Sequence, residues 1–470
     1  MNREKELAKN TFILTIGKMS TQFITFLLLP LYTSLLSPED YGVVDLLNTY
    51  VTLLLPLFNW QFESGLFRFL IDNRKNVEKQ KNIISTVVLT NFVQIAIYLL
   101  FYLIAGSFIT FEYKVFLAID VSLNILLSSL LQLPRGLGDN LTYAIGSFVS
   151  ALTTIVFNVL LIAVFHMGAL GMFCATVIAK IITIIFLALK TKIWRYVRIS
   201  CFDKTNFKEL SKYSLPLVPN QLSWWVISAS DRTVVSHFIG VAANGVYSVA
   251  NKFSSIFITI YNIFHMSWTE SVAVHIHEED SDQFISEIID TVIRFFGSLC
   301  LGIVAVIPFV FPILIDNNYH DAYYQIPILM LAVFFQIVVG LYSVIYTAHK
   351  KSVEIMKTSI YAAIINLVVD IALINFIGIY AASISTLVAY LAMAIYRSIH
   401  VRRFIRIKIK MQTKAAVFAM GIVSVAGYYW GNSIVQAIVF LAIAAVSIGL
   451  NLKFVKQIIS MVKSKIPKKS

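Results

Sequence analysis

Long apolar runs succeed one another along almost the whole chain. Fourteen can be read: 10–36, 41–67, 83–105, 113–133, 141–165, 168–189, 213–239, 241–273, 291–315, 323–347, 353–375, 378–396, 413–431 and 433–452. Each is near or above the roughly twenty residues with which a helix crosses a hydrocarbon core. Runs of this length exclude a membrane β-barrel, whose strands are about ten residues long and alternate in polarity. Composition agrees: 58% of the 470 residues are hydrophobic, 13% are charged and mean hydropathy is +0.78. A water-exposed globule carries roughly twice that charged fraction. The expected class is therefore an all-α polytopic membrane protein with about 14 transmembrane helices.

A net charge of +13 raises the question of nucleic acid. The distribution of the charge answers it. With the N-terminus placed in the cytoplasm, 31 of the 38 Lys and Arg fall in inside segments and only Lys114 in an outside loop. Such a split is the positive-inside pattern of a multi-pass protein, and it puts both termini in the cytoplasm. One inside loop, 274–290, has no Lys or Arg and carries Glu278, Glu279, Asp280 and Asp282; acidic residues weigh little in the rule. No cleavable signal peptide is expected, because the first apolar run is too long and leads straight into the next. The tail LKFVKQIISMVKSKIPKKS spaces Phe454, Ile458, Met461 and Val462 helically among lysines. It reads either as an amphipathic helix on an anionic inner leaflet or as a solvated tail. The three cysteines, Cys174, Cys201 and Cys300, make neither a disulfide framework nor a zinc site.

The chain repeats itself. LLSPEDYGVVDLLN at 35–48 aligns with FIGVAANGVYSVAN at 238–251, an offset of 203 that puts Gly42 on Gly245 and Asn48 on Asn251. LGMFCATVIA at 170–179 aligns with IGIYAASIST at 377–386, an offset of 207. Both matches fall at corresponding places in a six-span count. The expected organisation is two pseudo-symmetric six-helix lobes, 1–205 and 206–410, followed by a helix pair and basic tail at 411–470. Repeated halves in a membrane allow one lobe to rock against the other about a midplane site.

At these residues the sequence resembles a family. The opening LAKNTFILTIGKMSTQFITFLLLPLYTSLLSPEDYGVVDL, the FRFL at 67–70 and the repeated Gly-x-x-x-Ala-Thr/Ser element in spans six and twelve look like the oligosaccharide flippases of the polysaccharide-transport type. These belong to the multidrug/oligosaccharidyl-lipid/polysaccharide exporter superfamily. The resemblance implies a V-shaped two-lobe fold. It also implies outward transfer of undecaprenyl-diphosphate-linked oligosaccharide in a bacterial plasma membrane, for capsule, O-antigen or exopolysaccharide. The partners expected are that lipid-linked substrate, membrane lipids and a polysaccharide polymerase, with the protein itself a monomer. A multidrug exporter of the same superfamily and a peptidoglycan-precursor lipid flippase stay open as alternatives.

The residues carry their own chemistry. An ionisable side chain at the bilayer centre costs roughly 2.5–3.5 kcal/mol on insertion scales, so it faces a cavity or a partner. Lys18, Lys180, Arg232, Lys252 and Arg294 lie in the runs, and Arg68 at the end of the second. Arg68, Lys180 and Arg294 are near inner ends and can snorkel; Arg232 and Lys252 lie deeper, with Asp231 beside Arg232 as a local counter-charge. Lys18, Arg68, Arg232, Lys252 and Arg294 are the candidates for a cationic lumen, since Arg forks onto phosphate oxygens and Lys offers a point charge. Trp224, Trp225, Tyr247, Tyr261 and Trp268 are either sugar-stacking groups or ordinary aromatic anchors. The acids Asp45, Glu63, Asp120, Asp231, Glu270 and Asp370 also lie in runs. Asp370, Asp120, Asp231 and Glu63 are candidates for coupling H+ or Na+. Asp120 with Asn124 and Asp370 with Asn366 share helix faces, so a neighbouring amide satisfying the acid is the plainer reading.

Other motifs count for less. No Gly-rich GK[ST] loop occurs, so no ATPase is built in, and no cofactor is expected beyond a coupling ion. An inside-negative potential favours outward movement of negative charge. His275, His277 and Glu278 read as surface and not as a metal site. Glu39 and Asp40 raise the idea of a glycosyltransferase base, but the outside loops are too short for an acceptor site and the pair sits where acids favour a helix N-terminus. No enzyme is expected. Prolines in five of the runs bend axes and share no register at the 203 offset.

Overall fold

The computed structural model describes residues 26–106, 112–276, 278–349 and 351–465. Lys18, His277 and the last five residues lie outside them, and so does most of the first run. No side chain beyond Leu452 is described, so the amphipathic reading of the tail lies outside as well.

The described chain is a succession of helices. They are α1 Leu29–Leu35, α2 Pro38–Asn59, α3 Phe62–Asp72, α4 Val77–Ala105, α5 Lys114–Leu137, α6 Asn140–Asn158, α7 Gly168–Thr191, α8 Lys204–Ser214, α9 Leu217–Phe238, α10 Val241–His275, α11 Ser281–Leu314, α12 Ala322–Ala348, α13 Ser352–Ile377, α14 Tyr380–His400, α15 Met411–Trp430 and α16 Ser433–Lys465. Ten segments among the described residues are long and apolar enough to cross a membrane. The fourteen-run reading adds the first run and the more polar α9, α10 and α15. The outer surface is apolar: Leu103, Phe376 and Phe418 are 72%, 84% and 72% exposed. Only lipid stabilises such a surface.

One expected run is two helices. Residues 41–67 break at Trp60 and Gln61, both in the left-handed region with φ 53° and 56°. Asn59 holds the break: its side-chain oxygen accepts from the Gln61 N–H at 2.9 Å, its amide donates to Glu63 at 2.9 Å, and its carbonyl accepts from Gln94 at 3.0 Å. Past the break, α3 buries Phe62, Leu66 and Leu70 against Ile83, Ile84 and Val87 of α4, Leu133 of α5 and Leu210 of α8. The apolar stripe of α3 therefore serves a side-on packing and does not extend α2 through the membrane.

Contacts divide the chain into two units, 1–248 and 249–470. The core of the first joins Val44, Leu47 and Val51 of α2, Tyr98 of α4, Leu117, Val121 and Ile125 of α5, and Phe173 of α7. Tyr98 donates to the Leu117 carbonyl at 2.9 Å, so the buried hydroxyl is satisfied. In the second unit α12, α13 and α14 pack on one another, and α11 is flanked by α15 and α16. Leu301 and Ala305 of α11 meet Met420 and Ile443 of that last pair.

One small arrangement occurs in both units. Ser85 of α4 donates to the Tyr196 carbonyl at 2.8 Å and accepts from the Arg198 N–H at 3.1 Å. Ser286 of α11 donates to the Arg406 carbonyl at 3.4 Å and accepts from the Lys408 N–H at 3.0 Å. In each case one hydroxyl clamps the i and i+2 backbone groups of the linker that leaves a long helix, α7 or α14.

Candidate functional site

The first unit holds a tight helix crossing. A Cβ on Gly42 of α2 would lie 2.0 Å from the Val241 carbonyl oxygen of α10, and one on Gly245 would lie 2.0 Å from that of Pro38. The contact is reciprocal, and Gly42 and Gly245 are the pair that the 203-residue offset equates. Only glycine lets two helix backbones touch this closely. Asn244 reinforces the contact by donating to the Gly42 carbonyl at 3.0 Å.

One turn along, the next equated pair also meets. Ser248 donates to Asp45 Oδ2 at 2.5 Å. The same oxygen lies 2.8 Å from Arg232 Nε, with the two side chains 13% and 17% exposed. Arg232 donates in addition to the Ser228 carbonyl at 3.1 Å. Its counter-charge in this pair is Asp45, not the adjacent Asp231: successive helical residues point about 100° apart. Asp231 is buried and accepts from the Tyr247 hydroxyl at 2.9 Å. Trp225 fixes the register of α9 on α2 by donating to the Thr49 carbonyl at 3.0 Å. The result is a guanidinium on a dense helix crossing, paired directly with one carboxylate that also serves a hydroxyl, with Asp231 adding to the field at longer range.

A second polar pair lies deeper in the same unit. Lys180 Nζ is 2.5 Å from Asp120 Oδ1, with side chains 16% and 8% exposed. Asn124 donates to Asp120 Oδ2 at 3.2 Å. Asp120 lines a cavity of about 10 Å³ together with Asn48 and Thr176, about the space of one water. Lys180 thus reaches α5 and does not snorkel.

The remaining candidates are dispersed. Arg68 lies on α3, half exposed and 3.0 Å from Asp72 one turn away; Arg294 lies 3.7 Å from Asp290 in the same spacing. Lys252 is half-buried on α10. Asp370 is fully buried on α13, while the Asn366 amide reaches Ser385 and Thr386 of α14 at 3.3 and 3.2 Å. Tyr261 and Trp268 are buried at helix contacts: the Tyr261 hydroxyl fills the space above Gly340, and Trp268 donates to the Leu341 carbonyl. Among the described residues no cluster of three or more His, Cys, Asp or Glu is arranged for a metal ion.

Arg397 is one of the 31 cations that the sequence reading assigns to inside segments, and nothing in that reading singles it out. It is fully buried on α14. Its guanidinium donates to Thr358, Ser343 and the carbonyls of Ile355 and Val339, and it lies 5.9 Å over the Tyr346 ring. Hydroxyls and carbonyls hold it, a pattern without a one-dimensional signature.

The spanning helices and apolar exterior define a polytopic membrane protein with the fold of the exporter superfamily. Three solved structures show that fold. A lipid II flippase, MurJ, in an inward closed conformation is 14% identical with a TM-score of 0.70, covering 96% of this chain and 100% of its own. An inward-facing and an outward-facing structure, each of a multidrug resistance MATE family transporter of the MOP superfamily, are both 14% identical. The TM-scores are 0.66 and 0.61, with 86% and 88% of this chain and 95% and 97% of the other covered. The sequence places it further: a family described as polysaccharide biosynthesis protein matches residues 7–269, more than half of the chain. The chain belongs to that family. A comparison with curated proteins finds no match.

Proposed function

We propose that the protein moves undecaprenyl-diphosphate-linked oligosaccharide from the inner to the outer leaflet of a bacterial plasma membrane, for cell-surface polysaccharide synthesis. The observation that supports this most is Arg232. It is a spanning-segment guanidinium whose partner, Asp45, is shared with Ser248. A diphosphate offers several oxygens in fork geometry and can take over the guanidinium from its paired carboxylate. A cationic drug cannot, which sets this reading ahead of a multidrug exporter. Lipid II carries the same diphosphate, so the peptidoglycan precursor stands as the second cargo.

The mechanism is alternating access by two lobes, 1–205 and 206–410, with 411–470 as an added helix pair. The recurrence of the serine clamp on α4 and α11 supports the duplication, because one fold element in each half repeats one hydrogen-bond pattern. Outward movement takes the Gly42–Gly245 crossing apart and frees Arg232 from Asp45; return remakes both. Lys252 and Lys18 add positive charge to the passage, and Asp370, Asp120 and Asp231 are the groups for H+ or Na+. Arg68, Arg294 and Glu63 are secondary, since each already has a neighbour in the same helix or turn. The chain acts as a monomeric transporter with both termini cytoplasmic, delivering its product to a polymerase.

The test is transfer of a labelled undecaprenyl-diphosphate oligosaccharide in proteoliposomes under an imposed inside-negative potential, with a drug cation as competitor. Transfer that rises with potential, ignores the drug and is lost in Arg232→Ala and Lys252→Ala is expected. Drug movement without lipid movement would reject the proposal.

A further inference from the structure

The linker between α14 and α15 is held straight along α11. The Arg406 N–H donates to Asp282 at 3.3 Å, the Lys408 N–H to Ser286 at 3.0 Å and the Lys410 N–H to Asp290 at 2.9 Å. Every second linker residue meets every fourth helix residue. The registers agree because two extended residues advance about 6.6 Å and four helical residues about 6.0 Å. The acids are thereby used on backbone N–H groups, and the basic side chains stay exposed. Among the described residues Arg406, Lys408 and Lys410 make no ion pair.

These three cations line a cavity of about 540 Å³ together with Glu287 and the two aspartates, Asp282 and Asp290, of which Asp290 also lies 3.7 Å from Arg294. Glu287 receives one hydrogen bond, from Gln283 at 3.1 Å, and likewise has no cation. Of the charged groups in this cavity, Arg406, Lys408, Lys410 and Glu287 make no ion pair among the described residues, while Asp282 and Asp290 are held by linker N–H groups. The cavity lies where a candidate span ends at Arg403 and α15 begins at Met411, the depth of lipid headgroups.

We propose that this cavity binds the headgroup of an aminophospholipid: the phosphodiester on Arg406, Lys408 and Lys410, the primary ammonium on Glu287. The site is independent of the substrate path proposed above. A primary ammonium donates three hydrogen bonds to a carboxylate's surroundings, whereas a choline group donates none. A purely anionic headgroup meets Glu287 with repulsion.

The full-length protein is purified in nanodiscs holding equal parts of phosphatidylethanolamine, phosphatidylcholine and phosphatidylglycerol, and retained lipid is counted by native mass spectrometry. Phosphatidylethanolamine should exceed phosphatidylcholine by about tenfold, the weight of one charge-assisted contact. Glu287→Gln, an exposed change that leaves the fold alone, should bring that ratio to near one. The triple variant Arg406→Gln, Lys408→Gln, Lys410→Gln should lose all three lipids. Removing as many charges elsewhere, with Lys190→Gln, Lys192→Gln and Arg195→Gln, should leave the wild-type ratio. A preference for phosphatidylglycerol, a ratio unmoved by Glu287→Gln, or equal loss in the control triple variant overturns the assignment. So does displacement of the retained lipid by millimolar glycerophosphoethanolamine, which would make the ligand a soluble phosphate.

Discussion

Replacing Gly42 with alanine places a methyl 2.0 Å from the Val241 carbonyl oxygen. Such contacts are not found below 3.0 Å, so α2 and α10 must part by about 1 Å. The neighbouring atom is backbone and has no rotamer through which to yield. Separation of that size carries the Asn244–Gly42 and Ser248–Asp45 bonds, now 3.0 and 2.5 Å, to or beyond the limit of about 3.5 Å. Overpacking costs about 1–3 kcal/mol and the Asn244–Gly42 bond, the one of the two that remains when Ser248 is replaced for the assay below, about 1 kcal/mol. Together these give about 2–4 kcal/mol against the closed crossing, a population shift of roughly 30- to 1,000-fold. The assay uses a chain whose Cys174, Cys201 and Cys300 are serine and whose Ser248, 1% exposed, is cysteine. A membrane-impermeant maleimide added from outside should label that cysteine slowly while Gly42 is kept and rapidly in Gly42→Ala, where lipid transfer should also fall. Gly245→Ala should act alike. The double variant should cost less than the sum, because both methyls enter one contact. Wild-type transfer and an unlabelled cysteine in Gly42→Ala would refute the reasoning.

Three further outcomes follow from the buried charges. Arg232→Lys keeps the charge but loses the fork, so transfer should fall less than in Arg232→Ala yet stay below wild type in a proteoliposome titration of substrate. Asp120→Asn leaves Lys180 without its carboxylate at 16% exposure and should cost about 3 kcal/mol; Asp120→Asn with Lys180→Met should recover most of it, read as detergent melting temperature. Arg397→Ala empties a fully buried site and takes the guanidinium donor from the Val339 and Ile355 carbonyls and from the Thr358 and Ser343 hydroxyl oxygens. It should cost about 3 kcal/mol or more in the same melting assay, and Arg397→Lys should not restore it, since one ammonium cannot serve the partners on both α12 and α13.

The break between α2 and α3 marks where the sequence stops being legible. Trp60 and Gln61 adopt left-handed backbone without a glycine or proline to announce it, and Asn59 is an ordinary residue in an apolar run. The apolar pattern of 41–67 continues through the break because α3 also buries one face. Arg232 and Lys180 were legible as costly positions, since each is a charge in a spanning run. Their partners were not: the next-door Asp231 is on another face, and Asp45 and Asp120 lie 187 and 60 residues away. Arg397 was passed over for the opposite reason. It stands among six other cations between the end of α14 and the start of α15, and nothing in composition separates the buried one from the exposed ones.

The sequence by itself determined the class. Whether a helix can cross a bilayer depends on the length and polarity of one uninterrupted segment, a local property written along the chain. It also marked Gly42 and Gly245 as equivalent, because a repeat is a relation between positions in a string. That the two glycines touch, that Asp45 and Ser248 meet one turn further on, and that Arg232 closes on that carboxylate were decided by the tertiary structure alone. Those contacts depend on which helix faces turn toward each other, and the mutual rotation of packed helices is fixed by the side chains of several segments at once.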